Sequence, residues 1–432
     1  MKIYLSSIGC RLNQSEIETL GRQLLAQGHE IVKDAASADK AVINTCAVTS
    51  QAARDARTQT RRIQRQKAET EIYLTGCYAT IAPDELQRLN GSVTVVANKD
   101  KSRLTQILDP MIANDGLPFD QEPVMREFLS GNMGNTRAFV KVQDGCDNKC
   151  TFCITTVARG AGVSRPLGDI VAEVQALSAA GYKEVVITGV HLGSYGRDLS
   201  QQIGLRHLVQ ALLLHTDIPR LRLSSLEPWD LDPDFFNLWE NPRLLPHLHM
   251  PLQSGSDKVL RRMARHTSRA DFRRLVTAAR AQIPDLNLST DIILGFPGET
   301  EFDFEQSLDY VLEMRFARLH AFTYSSRPGT AAARMAGQLP KAIKKERTSR
   351  MIELGKKMSF DYHQRFDNCI RPVLWEYNIG ADKDGLLWSG YSDNYIRVTA
   401  SGPLGLFNSV TPTRLHNIEA DAVIGTIIVP ST

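Results

Sequence analysis

Gly145-Cys146-Asp147-Asn148-Lys149-Cys150-Thr151-Phe152-Cys153 carries three cysteines at C-x3-C-x2-C spacing. Three thiolates hold three irons of a four-iron cluster and leave the fourth open to a substrate or cofactor; four thiolates leave only electron transfer. A catalytic zinc site follows the same logic by keeping one position free. Zinc motifs usually add a second close cysteine pair elsewhere, and this chain has none. Redox catalysis on a cluster is therefore the first reading of the loop, and a structural metal site the second.

Working outward, the loop follows an apolar run, Arg137–Val142. Further strand-like runs come at Glu184–Thr188, Arg220–Ser224, His247–Met250, Asn287–Leu294 and Arg318–Phe322, with helical periodicity between them at Leu167–Ala180, Leu205–His215 and Arg269–Ala281. Six β/α units predict an open, partial barrel rather than a closed eight-fold one, with functional groups at the strand C-terminal ends.

Upstream, Lys2–Ser7, Lys40–Asn44, Glu71–Thr75 and Val93–Ala97 read as strands alternating with helices over Asn13–Gln27, Ser50–Gln66, Asp84–Leu89 and Lys101–Leu108. That alternation predicts a parallel sheet covered on both faces. Residues 111–135, rich in Gly, Pro, Asn and Asp, read as a linker. Residues 341–367 read as one basic connecting helix. After it come short alternating runs at Pro372–Tyr377, Leu386–Tyr391, Ile396–Thr399 and Val423–Val429, which predict a small all-β barrel. Tyr391, Tyr395, Arg397, Phe407 and Arg414 are its candidate RNA-facing residues.

A second cysteine set follows the first three predicted strands: Cys10, Cys46 and Cys77. If those strands are parallel neighbours, the three thiols share one sheet edge, where open α/β sheets bind ligands. The alternative is three buried cysteines at strand ends. One cysteine after each strand, twice preceded by Gly and with no matching His or acid, favours a second cluster with an open iron. Cys369 stands apart and reads as structural.

The 432 residues suggest about two to four domains. No apolar run reaches membrane-spanning length and the N-terminus lacks a signal-peptide pattern, so the expected compartment is the cytoplasm, where seven cysteines favour metal over disulfides. Net charge is only +3, yet residues 51–67, 258–274 and 341–357 carry +5, +6 and +5, leaving −13 for the remainder. Such concentration suits a nucleic-acid contact surface. Arg57, Arg61 and Arg65 recur on one predicted helix face, where they could follow phosphates.

The cysteine loop, with an aromatic before its last Cys at the first strand of a six-unit barrel, resembles the radical S-adenosylmethionine enzymes. The N-terminal trio narrows the resemblance to the methylthiotransferases. Leu223-Ser224-Ser225-Leu226-Glu227-Pro228, His249-Met250-Pro251-Leu252-Gln253-Ser254-Gly255-Ser256, Asp291-Ile292-Ile293-Leu294-Gly295-Phe296-Pro297-Gly298-Glu299-Thr300 and Tyr324-Ser325-Ser326-Arg327-Pro328-Gly329-Thr330 support it. Gly9-Cys10-Arg11-Leu12-Asn13-Gln14-Ser15-Glu16 is similar to the branch acting on N6-threonylcarbamoyladenosine in tRNA. Departures from the common family pattern occur at Thr155–Gly160 and Gly162–Pro166.

The resemblance implies an α/β protein: an N-terminal methylthiotransferase domain (1–112), a partial radical-SAM barrel (136–335), a connecting helix (341–368) and a TRAM-like RNA-binding barrel (369–432). It implies two 4Fe-4S clusters, on Cys146, Cys150 and Cys153 and on Cys10, Cys46 and Cys77, with S-adenosylmethionine bound at the first. Gly189, Ser225, Glu227, Gln253 and Ile293 are the candidates for positioning that cofactor. Arg159 could meet a carboxylate, of the cofactor or of the modified base, and joins Arg57, Arg61 and Arg65 as an RNA contact. His249 and His191 read as structural. Implied partners are tRNA and a flavodoxin-like or ferredoxin-like electron donor, for a monomer acting away from membranes. The competing activities are methylthiolation of isopentenyladenosine or of a ribosomal protein, and non-catalytic iron–sulfur RNA binding.

Overall fold

The computed structural model describes residues 1–89, 93–111, 136–200, 203–383, 385–418 and 422–428. The expected linker, but for Met111, and Val429 of the last expected strand lie outside these residues.

The N-terminal sheet holds five parallel strands: β1 (Lys2–Ser7), β2 (Glu30–Val32), β3 (Lys40–Thr45), β4 (Glu71–Gly76) and β5 (Val93–Val95), in the order β2-β1-β3-β4-β5. Strand β2 escapes sequence reading because three residues are too few to alternate. Period-two burial sends Ala41, Ile43, Ile72 and Leu74 to one face, packed on Ala53, Ala56 and Ile63 of the helix Ser50–Gln66. Val42 and Tyr73 go to the other face, against Ile17, Leu20 and Leu24 of the helix Arg11–Ala26. Cys10 and Cys46 follow β1 and β3, and Cys77 begins the short helix Cys77–Ile81 directly after β4. Since β1, β3 and β4 are neighbours, the three thiols stand along one edge.

The second unit is an arc of six parallel strands. Strands β6 (Arg137–Asp144), β8 (Glu184–Gly189) and β9 (Arg220–Leu223) pair in sequence, with a two-residue antiparallel strand, β7 (Val163–Ser164), on the outer side of β6. Strands β10 (His247–His249), β11 (Asn287–Leu294) and β12 (Arg318–Thr323) pair likewise. Bridges Leu221↔Leu244 and Ser225↔His249 join the halves into one arc. The long helix Lys341–Gln364 packs on β12, where a methyl on Gly355 would already touch Leu319 Cβ at 3.3 Å.

Strands β13 (Ile370–Asp382), β14 (Gly385–Ser392), β15 (Arg397–Gly402), β16 (Val410–Ile418) and β17 (Val423–Ile427) close into a barrel in the order β13-β14-β15-β17-β16. Its core is Val373, Trp375, Trp388, Val398 and Leu415. This barrel sits beneath the N-terminal ends of the six-strand arc. Arg137 opens β6 and pairs with Glu376 at 2.6 Å; Arg220 opens β9 and donates to the Tyr391 and Ser392 carbonyls at 3.2 Å.

Fully buried Glu184, the first residue of β8, accepts from Arg220 at 2.9 Å and Arg222 at 2.8 Å. Burial alone would raise the Glu184 carboxyl; Arg222, Arg220 and Arg137 outweigh it and hold the group far below the ordinary carboxylate range. Glu184→Gln strands two buried guanidinium groups and is expected to destabilise the protein by about 3–5 kcal/mol, read from its denaturant midpoint. Because the folded-state pKa is depressed, the wild-type contribution is complete above about pH 4.3 and is lost as pH falls below that value.

Candidate active site

The Cys146 loop leaves β6 through Gly145 at φ +69, where a Cβ would lie 1.8 Å from the Ala161 carbonyl oxygen. The loop is folded hard against 160–161, and the Cys146 N–H donates to Gly160 O at 3.0 Å. Thr151 N–H reaches Met263 O at 3.0 Å, and Ala332 N–H reaches Thr151 O at 2.8 Å, so loops after β10 and β12 brace it. Cys153 Sγ accepts from Thr155 N–H at 3.4 Å. Arg265 Nη1 lies 3.9 Å from Cys150 Sγ while the same guanidinium pairs with Glu227 at 2.5 and 3.0 Å. Burial pushes the Cys150 thiol up to about 11, with Arg265 pulling the other way.

The second trio is assembled by tight backbone. Gly9 has φ +102, and a Cβ there would meet Cys46 Cβ at 2.4 Å and Sγ at 2.7 Å. Asn13 Nδ2 donates to Ile8 O at 2.9 Å and Thr45 O at 3.2 Å, fastening the Cys10 loop to the end of β3. Cys46 Sγ accepts from Val48 N–H at 3.4 Å; Cys77 Sγ accepts from Arg159 Nε at 3.3 Å. Burial, then the neighbouring Cys10 and Cys77, push the Cys46 thiol up to about 11.

Arg159, the expected carboxylate and RNA contact, lines a cavity beside the thiols but is held by partners within the chain. Its side chain is 3 % exposed and bonded within the chain: Glu16 at 2.9 Å, Asp144 at 2.9 Å and Asn13 Oδ1 at 2.9 Å. Lys101 adds a bond to Glu16 at 2.7 Å, and Lys141 approaches Glu16 at 3.5 Å and Asp144 at 3.2 Å. Glu16, on the N-terminal helix, thus binds Arg159 and Lys141 from the barrel and Lys101 from its own unit.

A cavity of about 580 Å³ lies between the N-terminal edge and the open barrel, lined by Cys10, Cys46, Cys77, Gly189 and Ser225 among others. Glu227 approaches the Cys146 loop through Arg265, and Ile293 shares an apolar cluster with Phe152 of that loop. Gln253 sits at φ +72 against β11, its N–H on Asp291 O at 2.8 Å and its carbonyl accepting from Ile293 N–H at 2.9 Å. Arg57 is committed to Glu85 at 2.8 Å and to the Tyr78 hydroxyl, whereas Arg61 and Arg65 are exposed.

Tyr391 and Tyr395, candidate RNA contacts, turn toward the barrel arc. They stack at 4.8 Å between centroids and line the same cavity, with Tyr395 against His247 at 4.4 Å. Arg397 lies beside Ser389 at 3.3 Å, Phe407 packs on the small barrel's core and Arg414 is exposed, donating to Asn368 O at 3.0 Å. Cys369, read as structural, is exposed. His191 bonds Asp230 at 2.5 Å. His249, also read as structural, lines the cavity beside Ser289, Asp291, Arg318 and His320, which the sequence reading passed over. The missed signal was polar residues at alternate positions of β11 and β12, where a packed barrel places aliphatics.

A single metal ion needs its ligands about 2.3 Å from one point, and among the described residues no three His, Cys, Asp or Glu side chains achieve that. A four-iron cluster asks instead for three thiolates on separate irons, with hydrogen-bond donors to the sulfurs. Each trio offers three cysteines, and Val48, Arg159, Thr155 and Arg265 direct N–H groups at their sulfurs, so the donor chemistry fits a cluster at both places.

Comparison with known proteins agrees with this geometry. Residues 2–98 match the model of Uncharacterized protein family UPF0004, and residues 140–311 match the Radical SAM superfamily. The chain is 36% identical to a threonylcarbamoyladenosine tRNA methylthiotransferase of Thermotoga maritima, over 98% of this chain and 96% of that one. It is 32% identical to the same enzyme of Bacillus subtilis over 95% and 92%. A tRNA-2-methylthio-N(6)-dimethylallyladenosine synthase of Sphingopyxis alaskensis is 35% identical over 93% and 96%. Among solved structures, the radical S-adenosylmethionine methyltransferase TsrM of Kitasatospora setae shares the fold, with TM-score 0.58 and 16% identity over 77% of this chain and 75% of that one.

Gly9→Ala drives a methyl into Cys46 and is expected to abolish iron and sulfide retention at Cys10, Cys46 and Cys77 after anaerobic reconstitution. Gly28→Ala, with φ +79 but nothing within 4 Å, carries only the backbone strain and should keep its full metal content.

Proposed function

The chain belongs to the radical S-adenosylmethionine methylthiotransferases, and on that basis we propose that it adds a methylthio group to carbon 2 of N6-threonylcarbamoyladenosine at position 37 of tRNA. The observation that carries this reading is the single cavity onto which the N-terminal thiols and the barrel mouth both open.

Carbon 2 of an adenine has no acidic proton and no leaving group, so side-chain acid–base or nucleophilic catalysis cannot functionalise it. Two 4Fe-4S clusters and S-adenosylmethionine, when bound, supply homolytic removal of that hydrogen and delivery of methylthio. The chain's own contribution is placement and shielding. Cys146, Cys150 and Cys153 hold one cluster on a loop braced from three sides. Cys10, Cys46 and Cys77 would hold the other on the sheet edge that lines the cavity. Gly189 and Ser225, at the ends of β8 and β9, give close backbone approach and a hydroxyl for the cofactor. Ile293, in one apolar cluster with Phe152, and Gln253, held against β11, are assigned to the cofactor as well, and Glu227 through its pair with Arg265.

Residues 1–112, 136–335, 341–368 and 369–432 are assigned as the thiol-bearing α/β domain, the partial barrel, the connecting helix and the TRAM-like barrel. Exposed Arg61 and Arg65, with the basic segments at 258–274 and 341–357, are assigned to tRNA phosphates. Among the described residues no helix is long and apolar enough to cross a membrane. A cytoplasmic monomer, reduced by a flavodoxin-like or ferredoxin-like donor, completes the reading.

Mass spectrometry of tRNA nucleosides tests the substrate. A deletion strain should lack the 2-methylthio form of threonylcarbamoyladenosine and regain it with the wild-type gene but not with Cys46→Ala. Persistence of that nucleoside in the deletion strain removes the assignment. Metal analysis tests the cofactors separately: Cys46→Ala and Cys150→Ala should each retain about half the wild-type iron and sulfide if each trio needs all its thiolates.

A further inference from the structure

The lumen of the six-strand arc is polar. Alternate residues of β11 (Asn287, Ser289, Asp291) and of β12 (Arg318, His320) line the cavity, and the tyrosine pair of the small barrel floors it. A barrel lumen that serves only stability is filled with aliphatic layers.

Three of its polar groups are buried and unsatisfied: Ser224 Oγ, His247 Nδ1 and Asn287 Oδ1, on residues 9 %, 3 % and 4 % exposed. Each residue lines the cavity. A buried donor or acceptor left unpaired is costly, so such a cluster implies a ligand that pairs with it.

The cavity's cations are not equivalent. Arg159 is held by Glu16 and Asp144, and Arg11 donates to the Tyr395 hydroxyl. The Arg318 side chain is exposed on the wall and, among the described residues, makes no ion pair or hydrogen bond. The lumen's carboxylate, Asp291, faces His249 at 3.4 Å.

Resting on the substrate reading above, we propose that this lumen receives the threonylcarbamoyl arm of the base, with Arg318 pairing its carboxylate and Ser224, His247 and Asn287 meeting its urea and hydroxyl groups. Carbon 2 and N6 leave an adenine in different directions, so a base with carbon 2 at the thiol-lined mouth sends its N6 arm away from the thiols. Urea N–H groups suit Asn287 Oδ1, and the threonine hydroxyl and carbonyls suit Ser224 and His247. A dimethylallyl arm satisfies none of these groups and is rejected for that reason, as sites built to hydrogen-bond a substrate reject analogues that lack the partner. Arg318 therefore takes the role that sequence reading gave to Arg159.

The test is competition binding to reconstituted holoenzyme of three anticodon stem-loops that differ at position 37: threonylcarbamoyladenosine, its threonine carboxamide, and unmodified adenosine. Wild type should prefer the carboxylate over the carboxamide by about tenfold, the scale of a charged hydrogen bond partly open to solvent. Arg318→Gln should bring that ratio to about one, with Arg318→Lys restoring part of it, as a point charge without the planar fork does. Visible cluster absorbance verifies that each variant is folded and loaded. Asn287→Leu should lower the preference for the threonylcarbamoyl loop over the unmodified one. The subsite alone is overturned if wild type methylthiolates the threonylcarbamoyl loop but shows no preference for carboxylate over carboxamide, or if Arg318→Gln and Asn287→Leu both leave their preferences intact. Should wild type neither favour nor modify the threonylcarbamoyl loop, the substrate reading falls and the subsite with it.

Discussion

The bond between Glu16 and Arg159 is the constraint on which the rest depends. One carboxylate from the first helix and one guanidinium from just after the Cys146 loop meet at 2.9 Å in near-complete burial. Desolvating such a pair offsets much of its attraction, and its value lies in geometry. An unpaired carboxylate or guanidinium in that interface is far more costly than the pair, so the two units have one low-energy docking. Arg159 also donates to Cys77 Sγ, which makes the docking and the sulfur environment a single arrangement. Lys101 and Lys141 converge on the same carboxylate and complete it.

Legibility in the sequence followed the range of the interaction that set each feature. Cys10, Cys46 and Cys77 could be placed together because each sits at the end of a strand, and parallel sheets align strand ends. The Cys146 loop was legible for the opposite reason, since its three ligands lie within eight residues. Arg159 was not, because its partner Glu16 lies 143 positions away and no local pattern records the pairing. Strands β2 and β7 were too short for alternation to register. Tyr391 and Tyr395 were recognised as aromatic residues of a small barrel, but which side of that barrel faces the arc depends on Arg137, Glu184, Arg220 and Arg222, buried charges contributed by other strands.

The small barrel thereby acquires a place in the site as well as on the surface. Tyr395, at φ +64, accepts from Arg137 at 2.9 Å and from Arg11, joining a strand of the arc and the Cys10 loop at one phenol. Burial would raise that hydroxyl's pKa; Arg137, Arg11 and Arg222 outweigh it and lower it, which strengthens its role as acceptor. All three units of the chain therefore contribute atoms to the wall of one cavity.

That shared wall has a consequence for the nucleic acid itself. With the small barrel keyed beneath the strands, the stacked tyrosines form part of the cavity wall, and a nucleobase kept stacked inside an ordered helix cannot be surrounded by a lining drawn from all three units. The target must swing out of its stack and enter alone, at an unstacking cost of a few kcal/mol, about what a mobile hairpin loop gives up most readily. Selection among transcripts thus begins with how easily a single nucleotide can be everted, before any side chain reads its chemistry.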